Sequence, residues 1–131
     1  MLNEIKEDLK RAEEALESAE RNFKENDILT AANRIFVTCE NSVYVLLKLK
    51  FGSTSISRAK ILTKLKDIDP AMKKSYDESY DLRVQADYGR KSKYIPLTKE
   101  NLNNVMDDVK KQLDNVNKLV DDKKNSNGTK I

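Results

Sequence analysis

The sequence predicts an all-α fold, an antiparallel up-and-down bundle of four long helices and one short helix. Glycine and proline are scarce, with three and two residues among 131, and aromatic residues make up only 6%, so the composition favours helices over a sheet. Apolar residues recur at steps of three and four along the long segments. Short polar links separate these segments, which favours antiparallel neighbours.

The first two predicted helices differ in how much of their surface is apolar. The first, Leu2 to about Glu25, has one apolar stripe and a densely charged opposite face. The second, Ile28 to Phe51, is apolar over more than half of its circumference, with Asp27 as N-cap and Gly52 at its C-terminal end. We therefore expect the second helix to lie centrally and to contact several others.

The next two helices are marked by their caps. A short third helix is predicted from Ser57 to about Asp67. Asp69 and Pro70 then read as an N-cap followed by proline at the first helical position. The fourth helix runs from there to about Gly89.

The C-terminal part begins with a basic loop, residues 89–97, and Thr98 as an N-cap. The last helix is predicted from Lys99 to about Asp121. The sequence thus predicts one helical domain over residues 1–121, and a disordered polar tail over residues 122–131.

Charge is distributed unevenly along a chain whose net charge is +3. Residues 1–30 carry nine acidic and five basic side chains, whereas residues 48–99 carry thirteen basic and six acidic ones. The basic middle of the chain could face a polyanion, the acidic first helix of a second copy, or only solvent.

The residue inventory excludes several kinds of chemistry. Without histidine the chain has no imidazole base, imidazole zinc ligand or Ser-His or Cys-His pair, and a single cysteine, Cys39, cannot form a thiolate metal site. We expect Cys39 to be a buried small apolar residue, and we expect no cofactor and no metal. The chain opens with charged residues and has no apolar run that would span a membrane, so we expect a cytoplasmic protein without membrane contacts.

Two polar pairs are candidates for a site. Arg83 and Asp87 are four residues apart on the fourth helix, so they share one face, either as a small surface salt bridge or as part of a site in which Arg83 holds a phosphate. Asn33 and Arg34 interrupt the apolar second helix. They face its narrow polar strip or reach another helix, where Arg34 could meet Asp87 or Asp81.

These two motifs carry a family resemblance. Residues 31–36 read Ala-Ala-Asn-Arg-Ile-Phe, the apolar helix that follows ends at Gly52, and residues 80–88 read Tyr-Asp-Leu-Arg-Val-Gln-Ala-Asp-Tyr. Over about residues 1–120 the chain resembles the HEPN domain family (higher eukaryotes and prokaryotes nucleotide-binding), in particular its small stand-alone bacterial and archaeal branch.

The resemblance implies a helical bundle that is often a homodimer and is often encoded beside a minimal nucleotidyltransferase as a toxin–antitoxin pair. Many members are metal-independent ribonucleases with an arginine followed several residues later by a histidine. Arg83 matches that arginine, but Asp87 lies near the histidine position, and Ser55 and Ser57 lie where the family has other histidines. A carboxylate beside Arg83 is a poor proton donor and repels a scissile phosphate.

We therefore predict a HEPN-like protein that binds a nucleotide, RNA or a nucleotidyltransferase partner, as the toxin-like half of a pair, without efficient catalysis. The alternatives are a ribonuclease that uses Arg83, Asp87 and Tyr88, and a purely structural dimerising module. The predicted binding residues are Asn33, Arg34, Tyr80, Arg83, Asp87, Tyr88 and Arg90.

Overall fold

The computed structural model describes residues 2–53 and 57–129. Five helices make up this part of the chain: α1 (Leu2–Lys24), α2 (Ile28–Phe51), α3 (Arg58–Ile68), α4 (Pro70–Tyr88) and α5 (Lys99–Thr129). The described residues contain no strand, so the prediction of an all-helical bundle with one short helix is confirmed. Ser55 lies outside the described residues.

Helix α2 occupies the centre of the bundle, as its apolar circumference predicts. It packs against α1, α4 and α5, and its apolar residues from Ala31 to Leu47 are almost all fully buried. Cys39 is 1% exposed, which confirms that it belongs to the core. Because α2 contacts three helices, residues on its polar strip lie at the junctions between helices.

The helix boundaries follow from local capping chemistry. The Asp27 side chain accepts a hydrogen bond from the backbone N–H of Thr30 at 3.1 Å, and α2 ends at Gly52, whose φ of 78° lies in the left-handed region. Asp69 caps α4 through the N–H of Met72 at 3.0 Å. These caps place the ends of α2 and α4 where the sequence predicts them.

Helix α5 is longer than predicted. The hydroxyl of Thr98 caps it as expected, accepting from the N–H of Asn101 at 3.1 Å, but the helix continues to Thr129 rather than ending near Asp121. Residues 122–129, predicted as part of a disordered tail, therefore have helical backbone. The apolar stripe that indicated the helix ends with Val120, whereas the helical backbone continues through residues 121–129, which contain no proline to interrupt it.

Over the residues that the structure describes, none of the five helices combines the length and the apolar character that crossing a bilayer requires.

Candidate functional site

A polar bridge joins α2 to α4 at the surface of the bundle. Arg83 Nε lies 3.2 Å from Asp87 Oδ2, so the two side chains share one face of α4 as their spacing predicts. The Asn33 amide crosses from α2 and donates to the same oxygen at 2.9 Å. The side chains of Arg83 and Asp87 are 33% and 27% exposed, and the bridge therefore remains accessible from solvent.

Arg34 does not meet either carboxylate that the sequence suggested. Its Nε and Nη2 donate to Oδ1 of Asn33, at 3.0 and 2.7 Å. The prediction that Arg34 pairs with Asp87 or Asp81 is therefore wrong. Arg34 instead orients the Asn33 amide, since holding its oxygen directs the amide nitrogen toward Asp87.

An aromatic cluster of Phe36, Tyr76 and Tyr80 lies beside the bridge. The ring centroid of Phe36 is 5.4 Å from that of Tyr76 and 5.5 Å from that of Tyr80, both in edge-to-face geometry. Tyr76 and Phe36 are buried, whereas Tyr80 is half-buried. The guanidinium of Arg83 lies 5.2 Å from the Phe36 centroid, so this arginine makes a cation–π contact with the cluster.

A second arginine, Arg58, reaches the same cluster from α3. Its guanidinium carbon lies 3.4 Å from the Tyr80 ring centroid and 5.6 Å from that of Tyr76. We call Arg58 and Arg83 the arginine pair. Sequence reasoning missed Arg58 because it stands at the first position of a short helix, with no spacing that relates it to α4.

Glu40 on α2 is the acidic member of this group, and sequence reasoning missed it as well. Burial raises the pKa of its carboxyl above the ordinary value, while a hydrogen bond from Tyr44 and the positive charges of Arg83 and Arg58 act in the opposite direction. Burial and the nearby Glu40 charge raise the pKa of Tyr44 to about 12. Glu40 lies one helical turn after Phe36, which places it on the same face of α2 as the aromatic cluster.

Tyr88, the last residue of α4, and Arg90, in the loop that follows, take no part in the hydrogen bonds of the polar bridge. Tyr88 is 65% exposed, and the Arg90 guanidinium lies 5.8 Å from its ring centroid. Of the seven predicted binding residues, the structure thus brings together five around the bridge and the aromatic cluster: Asn33, Arg34, Tyr80, Arg83 and Asp87.

Asp81 has a structural role that the sequence did not predict. Its buried carboxylate accepts hydrogen bonds from three consecutive backbone N–H groups, those of Lys93, Tyr94 and Ile95, at 2.8–3.1 Å. Burial alone would raise the pKa of Asp81, but these N–H donors outweigh it and hold the pKa below its ordinary value.

Gln85, one turn after Asp81, holds the same loop a little further along. Its Nε2 donates to the carbonyl of Ile95 at 2.8 Å, and its Oε1 accepts from the N–H of Leu97 at 2.9 Å. The backbone of residues 93–97 is thereby fixed to two side chains of α4, and Ile95 and Leu97 also pack against the core. Of the basic residues of this loop, Lys93 consequently stands on a backbone that is anchored to α4.

Chemically, the site can hold an anion and can carry a proton. Two guanidinium groups stand against aromatic rings, and a half-buried carboxyl with a raised pKa lies in their electrostatic field. Among the described residues no group of histidine, cysteine, aspartate and glutamate has the arrangement of a metal site.

A scan against protein-family models and a search of characterised proteins each found no match to this chain.

Proposed function

We propose that this protein binds the phosphate groups of single-stranded RNA at the arginine pair, as a HEPN-like protein without efficient catalysis. The observation that supports this most is the stacking of two arginines from different helices against one aromatic cluster, at 3.4 and 5.2 Å. A stacked guanidinium keeps N–H groups available for phosphate contacts; in Arg83 the Nε is engaged by Asp87, and the two terminal nitrogens are the groups that would meet a phosphate.

The ligand contact in this proposal is to phosphate rather than to bases. Phe36 and Tyr76 are 1% and 2% exposed, and the half-buried ring of Tyr80 is covered by Arg58. These rings support the arginines and leave little aromatic surface for base stacking, so binding should depend weakly on sequence and strongly on salt.

The HEPN resemblance adds two further proposals about partners. It suggests that the chain is a homodimer and that it is the toxin-like half of a pair with a minimal nucleotidyltransferase. A nucleotidyltransferase gene next to the gene for this chain would support the pairing. Copurification of the two products, measured by size-exclusion chromatography with light scattering, tests both the dimer and the complex.

Glu40 favours one alternative, metal-independent RNA cleavage. Because burial raises its pKa, Glu40 is closer to the range in which a carboxyl transfers protons near neutral pH. Arg83 would then hold the scissile phosphate. This version of the ribonuclease alternative assigns the proton-transfer role to Glu40 rather than to Asp87 or Tyr88.

The binding proposal is tested with a labelled single-stranded RNA and fluorescence anisotropy over a salt series. Arg83→Ala should weaken binding about tenfold, the loss expected from one charge-assisted contact. It should also reduce the slope of log K against log salt by about 0.7, the value for one phosphate on a single strand.

The matched control is Arg21→Ala, which removes the same charge from an exposed position on α1. Its affinity and salt slope should stay close to those of the unaltered protein. Equal RNA binding by the Arg83→Ala and Arg21→Ala variants, with unchanged helical circular dichroism, would contradict the proposal and favour a structural salt bridge.

Cleavage is tested separately by incubating the same RNA with concentrated protein and a chelator. The binding proposal expects intact RNA. Cleavage that Glu40→Gln abolishes and Asp87→Asn leaves in place would establish the ribonuclease alternative in the form that the structure favours.

A further inference from the structure

A cavity of about 390 Å³ lies between α3, the second half of α4 and the loop that follows it. Four cationic side chains contribute to its wall: Arg58 from α3, and Arg90, Lys91 and Lys93 from the loop. We call this cavity the basic pocket. Its size is in the range of small-molecule sites, which run from about 300 to about 1,000 Å³.

The two carboxylates in the wall are already engaged elsewhere. Asp77 pairs with Lys73 at 2.7 Å, and Asp81 accepts the three loop N–H groups. Within the described part of the chain, none of the four cations forms an ion pair with a carboxylate. The four cations outnumber the two carboxylates of the wall, and positive charges that converge on a concave surface produce a local field that attracts anions.

One part of the pocket wall, Arg58 and Lys93 with the backbone of residues 93–97, is held in place by contacts within the protein. The Asp81 carboxylate and the Gln85 amide fix the loop backbone, while Arg58 stacks on Tyr80 at 3.4 Å and the Lys93 ammonium lies 5.3 Å from the Tyr94 centroid. Cations with restricted side chains lose less conformational entropy when they bind. The Asp81 carboxylate thus anchors the loop, and its negative charge is one of two in a wall that carries four cations.

We propose that the basic pocket binds a compact polyphosphate group, such as the triphosphate of a nucleoside triphosphate. Several adjacent phosphates match several cations that converge from a helix and a loop, whereas an extended strand is better matched by cations arranged along a line. Leu62 and Val84 add apolar wall beside the charges, where a nucleoside has room. This inference goes beyond RNA binding at the arginine pair; the two sites share Arg58, whereas Arg83 belongs to the arginine pair alone.

Isothermal titration calorimetry with adenosine triphosphate, adenosine monophosphate and sodium tripolyphosphate tests the proposal. Adenosine triphosphate should bind at least tenfold more tightly than the monophosphate, and tripolyphosphate should compete with it. If tripolyphosphate binds as tightly as the nucleotide, the pocket recognises the phosphate chain alone; if it binds more weakly, the nucleoside contributes. Both results support a polyphosphate site.

The variant Arg90→Ala/Lys91→Ala removes two exposed cations of the pocket and should weaken adenosine triphosphate binding at least tenfold. Lys123→Ala/Lys124→Ala, at exposed positions of α5, removes the same net charge and should change affinity less than twofold. Thermal melting of both variants checks that they fold alike. Equal losses in the two variants, or equal affinity for the triphosphate and the monophosphate, would overturn the proposal.

The RNA assay separates this proposal from the preceding one. Arg83→Ala should leave adenosine triphosphate binding unchanged, because Arg83 does not line the pocket. Failure of Arg83→Ala to affect RNA would count against the arginine pair only. A different pair of results would refute the proposal. If the unaltered protein binds no polyphosphate and the Arg90→Ala/Lys91→Ala variant loses RNA binding, the pocket is a strand-binding surface.

Discussion

Replacing Asp81 by asparagine tests how strongly a single carboxylate holds the loop to α4. The carboxylate accepts from three backbone N–H groups, and most of these bonds end on one oxygen, Oδ2. Asparagine keeps one acceptor oxygen of similar position and loses the charge. The substitution therefore separates the contribution of the charge from that of the shape.

The expected loss follows from the number of donors. A hydrogen bond to a charged acceptor contributes about 1.5–3 kcal/mol, roughly twice the value of a neutral one. If each of the three bonds loses about half of its contribution when the acceptor becomes neutral, the free energy of unfolding falls by about 3 kcal/mol. For a domain of this length the midpoint of thermal unfolding should fall by roughly 10 °C.

The pH dependence provides a second readout with a defined sign. The pKa of Asp81 is lower in the folded protein than its ordinary value of 3.8, so its stabilisation is fully present above that value and is lost as pH falls through the folded-state pKa. The difference between the parent protein and Asp81→Asn should be constant near neutral pH and should narrow below about pH 4.

Urea unfolding followed by circular dichroism measures the free energy of unfolding, and repeating it over a pH series gives the pH dependence. Asp107→Asn is the matched control, since Asp107 is an exposed carboxylate on α5 and should change stability by less than about 0.5 kcal/mol. The reasoning is refuted if Asp81→Asn costs no more than this control, or if its effect is the same at pH 3 as at pH 7.

Two further predictions concern the core. Burial raises the pKa of Cys39 to about 12, so the thiol should react with a disulfide reagent at neutral pH only as fast as the protein opens; rapid labelling of the native state would contradict this. Lys48→Met should lower the free energy of unfolding by about 2 kcal/mol, because it leaves the buried carboxylate of Asp8 with Arg11 as its remaining cation. In the Asp8→Asn background the same substitution should cost much less, and equal costs in a double-mutant cycle would show that the contact contributes nothing.

The helices were predictable to the extent that local chemistry ends them. Helix α2 begins after Asp27 and ends before Gly52, as predicted, because a side-chain cap and a left-handed residue act over a few neighbouring residues. The end of α5 was not predictable from the apolar stripe. That stripe indicates which residues pack against the bundle, whereas the helical backbone of α5 extends beyond the last of them, Val120, to Thr129.

The contacts of the candidate site likewise separate into those that follow from local spacing and those that depend on helix packing. The proximity of Arg83 and Asp87 follows from helical spacing. An amide inside an apolar helix left two possibilities for Asn33, the polar strip of α2 or a contact with another helix, and the structure shows the contact. Its actual partner, and the turn of Arg34 toward Asn33, depend on how α2 and α4 cross. The geometry of that crossing cannot be read from the spacing of residues in one sequence.

What the sequence by itself determined is the helical class, most helix ends and the pairing of Arg83 with Asp87, because these depend on interactions within a few residues. The tertiary structure alone decided that Arg58 and Glu40 join this pair, and that Asp81 anchors a loop whose cations surround a pocket. These contacts link residues on different elements, whose distances are set by the packing of the whole core rather than by sequence spacing.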